Sequence, residues 1–263
     1  MLVRAADHKG LSPCCTRVYN SRTMTEPKVH QGTDEITYQS PEIPPTVEVH
    51  DVPIVRATDE SLGGYGKLVD DPEKFTVENG SFEIVPWPHA GWRSLDPGTG
   101  YEGGTTEGAF RLFWQDGNLF GENLALSTTA NKYLLGLGAL PSQPAETHPP
   151  SEKADPLCVD HVYVWYSDYH PDGGQMFYSK HSPFVANLAP ALGDTIKPED
   201  FTAFYVEAGM GLYIHPGVWH NAVYVKPEHA PTDIFGRQGK VHARISVRWT
   251  EEFNKVLRVP LSL

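Results

Sequence analysis

The run Val159-Asp160-His161-Val162-Tyr163-Val164-Trp165-Tyr166-Ser167-Asp168-Tyr169-His170-Pro171-Asp172-Gly173-Gly174-Gln175-Met176-Phe177-Tyr178 is rich in β-branched and aromatic residues, interrupted by the turn formers Pro171 to Gly174. Such side chains suit a pleated, half-buried surface, so the run reads as strand, turn and strand. Alternate residues of a strand share a face. Asp168 and His170 therefore point the same way, and a return strand after the turn brings Gln175 toward them.

The same pattern extends in both directions. Phe184–Leu188, Phe201–Val206, Gly211–Ile214, Ala222–Val225 and Val241–Trp249 are short and rich in strand formers, as are Val47–Val49, Tyr65–Val69 and Phe82–Val85 upstream. Ala109–Trp114 and Asn118–Ala125 flank Gln115-Asp116-Gly117, and Asp-Gly between alternating runs signals a hairpin. Thr58–Ser61 can cap a short helical turn ending at Gly63-Gly64, Asp96–Gly108 reads as a glycine-rich loop, and Pro141–Pro156 reads as an exposed connection. The expectation is an all-β sandwich or barrel with few short helices. A length of 263 residues with 24 glycines and 23 prolines fits one such domain over residues 46–263, preceded by a disordered or leader segment, residues 1–45.

A formal net charge of −12 argues against nucleic acid, whose phosphates require a basic stripe. Apolar runs such as Tyr133–Leu140 fall well short of the roughly 20 residues of a membrane span, so no membrane partner is expected. Cys14, Cys15 and Cys158 form no disulfide framework, which suits the cytoplasm. The basic, acid-poor residues 1–23 leave organellar targeting open.

Chemistry concentrates in two stretches, Asp168–Gln175 and His215-Pro216-Gly217-Val218-Trp219-His220. Asp168, His170, Gln175 and His220 make a mixed nitrogen and oxygen set for a divalent metal such as Mn, Fe, Ni or Zn. A lone histidine is more often a satisfied core or surface residue, but the turn between His215 and His220 fixes their separation. Trp219 reads as a core or pocket-wall aromatic. Arg244 and Arg248 alternate with apolar residues, placing two cations on one strand face, where they either grip a substrate carboxylate bidentately or simply offset the acidic surface.

His170-x4-Gln175 and His215-Pro216-Gly217-x-x-His220 resemble the two metal motifs of the cupin superfamily, with Asp168 where the first histidine and Gln175 where the glutamate usually stand. The chain further resembles the ureidoglycolate lyase family, also catalogued as ureidoglycolate hydrolases. That likeness rests on His170-Pro171-x-Gly173-x-Gln175-x-Phe177, Ala191-Leu192-Gly193-Asp194, Ala203-Phe204 with Gly209-x-Gly211, and His215-x-x-Val218-Trp219-His220. Asp51-Val52-Pro53-Ile54 and Tyr65-Gly66-Lys67-Leu68-Val69 extend it over residues 46–250.

The resemblance implies a cupin-like jelly-roll β-barrel and a homodimeric carbon–nitrogen lyase of allantoin and purine catabolism, splitting ureidoglycolate into glyoxylate and urea. It further implies that His215, His220 and His170 are catalytic, that Gln175, Arg248 and Trp219 bind the small carboxylate substrate, and that Asp168, His170, Gln175 and His220 hold any metal. Two other readings stay open: a metal-dependent cupin enzyme for another small hydroxy or keto acid, and a non-catalytic cupin that binds a small acid.

Overall fold

The computed structural model describes residues 41–76, 91–100, 102–123, 132–141 and 159–263. The expected strand Phe82–Val85, the leader up to residue 40 and most of Pro141–Pro156 lie outside the described residues. Strands β1 (Glu48–Asp51), β2 (Ile54–Arg56) and β3 (Gly66–Val69) come first, followed by β4 (Glu102–Gln115), β5 (Asn118–Asn123), β6 (Lys132–Leu137) and β7 (His161–Val164). Next come β8 (Tyr166–Tyr169), β9 (Gln175–Ser179), β10 (Phe184–Leu188), β11 (Thr202–Val206), β12 (Met210–Ile214) and β13 (Val223–Tyr224). The chain closes with β14 (Thr232–Val241), β15 (Ile245–Arg248), the short helix α1 (Trp249–Phe253) and β16 (Lys255–Pro260). The fold class is mostly β, as expected.

The strands form a ten-stranded sheet in the order β1-β16-β7-β6-β5-β4-β14-β9-β12-β3, a four-stranded sheet β13-β10-β11-β2, and the pair β15-β8. Among the described residues these ladders do not close into a barrel. Asp116 and Gly117 both have positive φ, 49° and 74°, and Gln115 faces Asn118, giving β4 and β5 the two-residue turn whose twist matches the strands it joins.

Three expectations are corrected. The turn Pro171–Gly174 does not close a hairpin: β8 pairs with β15, whereas β9 pairs with β12 and β14, so the segment is a corner between sheets. Its corner is pinned from outside. The Asp172 carboxylate accepts the Ala243 N–H at 2.8 Å, the Gly217 N–H donates to the His170 carbonyl at 2.8 Å, and a Cβ on Gly174 would strike the Tyr213 ring. The expected strand Val241–Trp249 is also divided, β14 ending at Val241, β15 beginning at Ile245 and α1 at Trp249. The supposed loop Asp96–Gly108 is half strand, because β4 begins at Glu102.

A single hydrophobic cluster draws Leu112, Phe177, Leu212 and Ile214 from the large sheet, Phe184, Leu188 and Phe204 from the four-stranded sheet, and Ile245 and Val247 from the β15-β8 pair. Each fully buried side chain of this size contributes about 1.5–3 kcal/mol of transfer free energy. Met176 and Tyr213, cross-strand partners of β9 and β12, belong instead to a separate cluster with Val69. The alternation thus defines an inner and an outer face for the sheet that carries Gln175.

Candidate functional site

Three elements converge at one end of the core. Asp168 lies opposite Ser246 in the β15-β8 pair and exchanges both backbone hydrogen bonds with His220, at 2.9 and 2.8 Å. Gln175 begins β9, where it faces Ile214 on one side and Gln238 of β14 on the other. His170, at the exit of β8, is thereby brought edge-on to His220, with ring centroids 5.1 Å apart. On its other side it stacks on His242 at 3.4 Å and 15°.

All three imidazoles are buried and neutral at pH 7. Burial holds His220 down to about 4, and burial with the neighbouring His220 and Arg244 holds His242 down to about 3. Burial, and then His242 and His220, put His170 well below its usual range. His170 Nδ1 donates to the Ala243 carbonyl at 2.8 Å, which leaves its Nε2 a lone pair, and His220 Nδ1 lies 2.7 Å from the Val218 carbonyl. Gln175 Nε2 donates to Gln238 Oε1 at 2.6 Å, and Gln175 Oε1 lies 3.0 Å from His220 Nε2. Both ring nitrogens of His220 thus face acceptors, and the neutral ring donates to one of them at a time.

Beside the imidazoles lies a buried charge cluster. The Arg244 guanidinium donates from Nε to Asp96 at 2.5 Å and stands 3.9 Å from Asp168 Oδ2. Asp96 also accepts from Ser246 Oγ at 2.7 Å, and its own N–H donates to the Arg244 carbonyl at 2.8 Å. Burial pushes the Asp168 carboxyl up to about 7, opposed by Arg244 and aided by Asp96. Asp168 is therefore poised to exchange a proton at neutral pH. Arg244 Nη2 and His242 Nδ1 have no hydrogen-bond partner among the described residues.

The rear of the site is a hydrogen-bonded wall. Trp249 Nε1 donates to Ser167 Oγ at 3.1 Å, Ser167 Oγ donates to Asn221 Oδ1 at 2.9 Å, and Asn221 Nδ2 donates to the Tyr166 carbonyl at 2.9 Å. Every member is buried. Such a fully satisfied network holds β8 and the His220 loop in one arrangement.

No family model matches the chain, and no match is found among curated proteins.

Of the residues singled out in the sequence, Asp168, His170, Gln175 and His220 are brought together, and three others are not. His215 shares the parity of Tyr213, so its ring lies on the outer face, edge-on to Tyr213 at 5.3 Å and beside a surface pocket lined by Asp59, Gly66 and Lys67. Trp219 faces away from His220; fully buried, it meets Tyr169 edge-on at 4.6 Å and donates to the Gly193 carbonyl at 3.2 Å. Arg248 shares the strand face of Arg244 but lies farther along it, at the surface, with Glu251 at 2.7 Å. Sequence reasoning missed His242, Gln238 and Asp96. His242 was recoverable, since His242, Arg244, Ser246 and Arg248 form the polar half of one alternating run.

The four expected metal donors gather at one end of the core without facing a common point. The Asp168 carboxylate is turned to Arg244 rather than to the imidazoles, and among the described residues no three His, Cys, Asp or Glu side chains form a group able to hold an ion. Two imidazoles and a neutral amide remain, an incomplete set for the metals expected.

Proposed function

We propose that this protein is a carbon–nitrogen lyase of the ureidoglycolate type, built on a cupin-like jelly-roll, that releases glyoxylate and urea. The observation that carries the reading is a carboxyl group held near neutrality beside a buried arginine with an unspent N–H pair, Asp168 and Arg244. The arginine is an anchor for the carboxylate of a small acid. The neighbouring carboxylate is a general base for the hydroxyl on the adjacent carbon.

Ureidoglycolate is a carbinolamide, with hydroxyl and urea nitrogen on one carbon. Asp168 takes the hydroxyl proton, the oxygen's electrons form the aldehyde carbonyl, and the carbon–nitrogen bond breaks with its pair going to the urea nitrogen. Asp168 then returns the proton to that nitrogen. Protons balance within one turnover, so a single group that titrates near pH 7 suffices. His220 and His170 are neutral at pH 7 and carry no spare proton to supply. In this reading His220 holds Gln175, and His170, packed against His220 and His242, excludes water.

The test is turnover of ureidoglycolate by the pure, folded protein, with glyoxylate and urea released in equal amounts. Absence of turnover sinks the reading. Tight glyoxylate binding without turnover would instead support a binding module.

A further inference from the structure

Two side chains deep in the four-stranded sheet carry polar groups that the fold leaves unpaired among the described residues. Strand β10 is buried at every position, and within it Asn187 is 1% exposed with neither its amide nitrogen nor its amide oxygen hydrogen-bonded among the described residues. Tyr224 of β13 is fully buried with its hydroxyl likewise unpartnered. Leaving such groups unpaired costs about 1–3 kcal/mol each, a cost a packing role would avoid with leucine and phenylalanine. The two are neighbours. Val185 lies directly opposite Tyr224, and Asn187, two residues along β10, shares its face, a diagonal pair about 7–8 Å apart and within side-chain reach. Four residues before Tyr224 the chain exchanges hydrogen bonds with Asp168 through His220, and the charge of Asp168 is felt at the Tyr224 hydroxyl.

An amide that offers one donor edge and one acceptor edge, beside a hydroxyl, is the complement of a carbamoyl group, whose carbonyl accepts and whose NH2 donates. We propose that Asn187 and Tyr224 receive the carbamoyl end of the substrate, an N-carbamoyl derivative of a small acid, while Arg244 holds its carboxylate. This rests on the lyase reading for its substrate and adds the residues that select it. Asn187 Oδ1 accepts from the terminal NH2, Asn187 Nδ2 donates to the carbonyl, and the Tyr224 hydroxyl donates to the second lone pair of that carbonyl.

The experiment compares two unreactive probes by calorimetry on the full chain: N-carbamoylglycine, which has both ends, and glycolate, which lacks the carbamoyl group. Wild type binds N-carbamoylglycine at least about tenfold more tightly than glycolate, the worth of two or three net hydrogen bonds. Asn187→Leu and Tyr224→Phe erase that preference while leaving glycolate affinity within about twofold, and both raise the melting temperature of the ligand-free protein, since each removes an unpaired buried group. Equal binding of the two probes by wild type overturns the inference. So does a preference that survives in both variants, or a drop in melting temperature with equal loss of both probes, which marks the pair as structural. A carbamoyl preference without ureidoglycolate turnover leaves this inference standing and removes the lyase reading. Turnover with no effect of either variant does the reverse.

Discussion

His215 and His220 stand five residues apart in one turn and occupy opposite environments. His215, half-buried, lies on the outer face of the large sheet against Tyr213, and its imidazole is lowered modestly by burial and by Lys67. His220 is 3% exposed, backbone-paired with Asp168 and held between the Val218 carbonyl and the Gln175 amide oxygen. Same residue type and same loop do not make the same chemistry. What separates them is strand parity before the turn and the bridge to β8 after it. The contrast predicts that residues on the inner side control turnover and those on the outer side do not.

The largest effect tests the inner side directly. Asp168→Asn lowers kcat for ureidoglycolate by about 10²–10⁴-fold, the usual worth of a positioned proton-transfer group, in a protein whose circular dichroism is unchanged. The same group sets the pH profile. As a base it must be ionised, so kcat/KM falls as pH drops below about 7, and that limb is missing in Asp168→Asn. Next, Arg244→Gln raises KM about 10–100-fold, reflecting loss of a charge-assisted carboxylate contact. His220→Ala lowers kcat/KM about tenfold, as Gln175 loses its imidazole partner. Equal losses from His215→Ala would erase the distinction between the two faces.

Stability sharpens the same comparison. The folded values of His220 and His242, about 4 and about 3, lie below the unfolded value of about 6.5. Their contribution is therefore full above pH 6.5 and is lost as pH falls through those values. His242→Gln removes one such group, so its urea midpoint declines less than that of wild type between pH 6.5 and 4. Asp168 acts in the other direction: raised to about 7, its contribution is full below about pH 4 and lost as pH rises through about 7. At the small end, His215→Ala and Arg248→Ala each change kcat/KM by less than about twofold, since surface groups away from such networks carry little.

The sequence made much of this legible where local pattern and burial agree. β10 falls on the expected Phe184–Leu188, and β12 differs from expectation by one residue, because both strands are short, mostly apolar runs inside the core. β14 was not legible. Its sequence, TDIFGRQGKV, is interrupted by Gly236 and Gly239, and its partner β4 begins with the glycine-rich stretch at Glu102. Each looks like a loop alone, and only their mutual pairing makes strands of them. The turn at Pro171–Gly174 carried correct residues for a hairpin but lacked any signal that β8 would take β15 as its partner. Asp168, His170, Gln175 and His220 were found because tight turns fix their spacing. Asp96 was not, since nothing near Asp96 in sequence points to Arg244, 148 residues away.

The wall of Trp249, Ser167, Asn221 and Tyr166 has a consequence for how the site opens. The rear is tied into the core, whereas the segment bearing Asp96 reaches the surface at Trp92, 72% exposed, and is held by the Arg93–Glu252 and Asp96–Arg244 ion pairs. Amide protons of β8 should thus exchange with solvent only through global unfolding, and those around Asp96 through a local opening that parts those two pairs. The Asp168 carboxyl belongs to the slow part of the molecule and its neighbour across Arg244 to the fast part. In the proposed lyase reading a small acid enters by parting the two, with the frame that aims Asp168 left undisturbed.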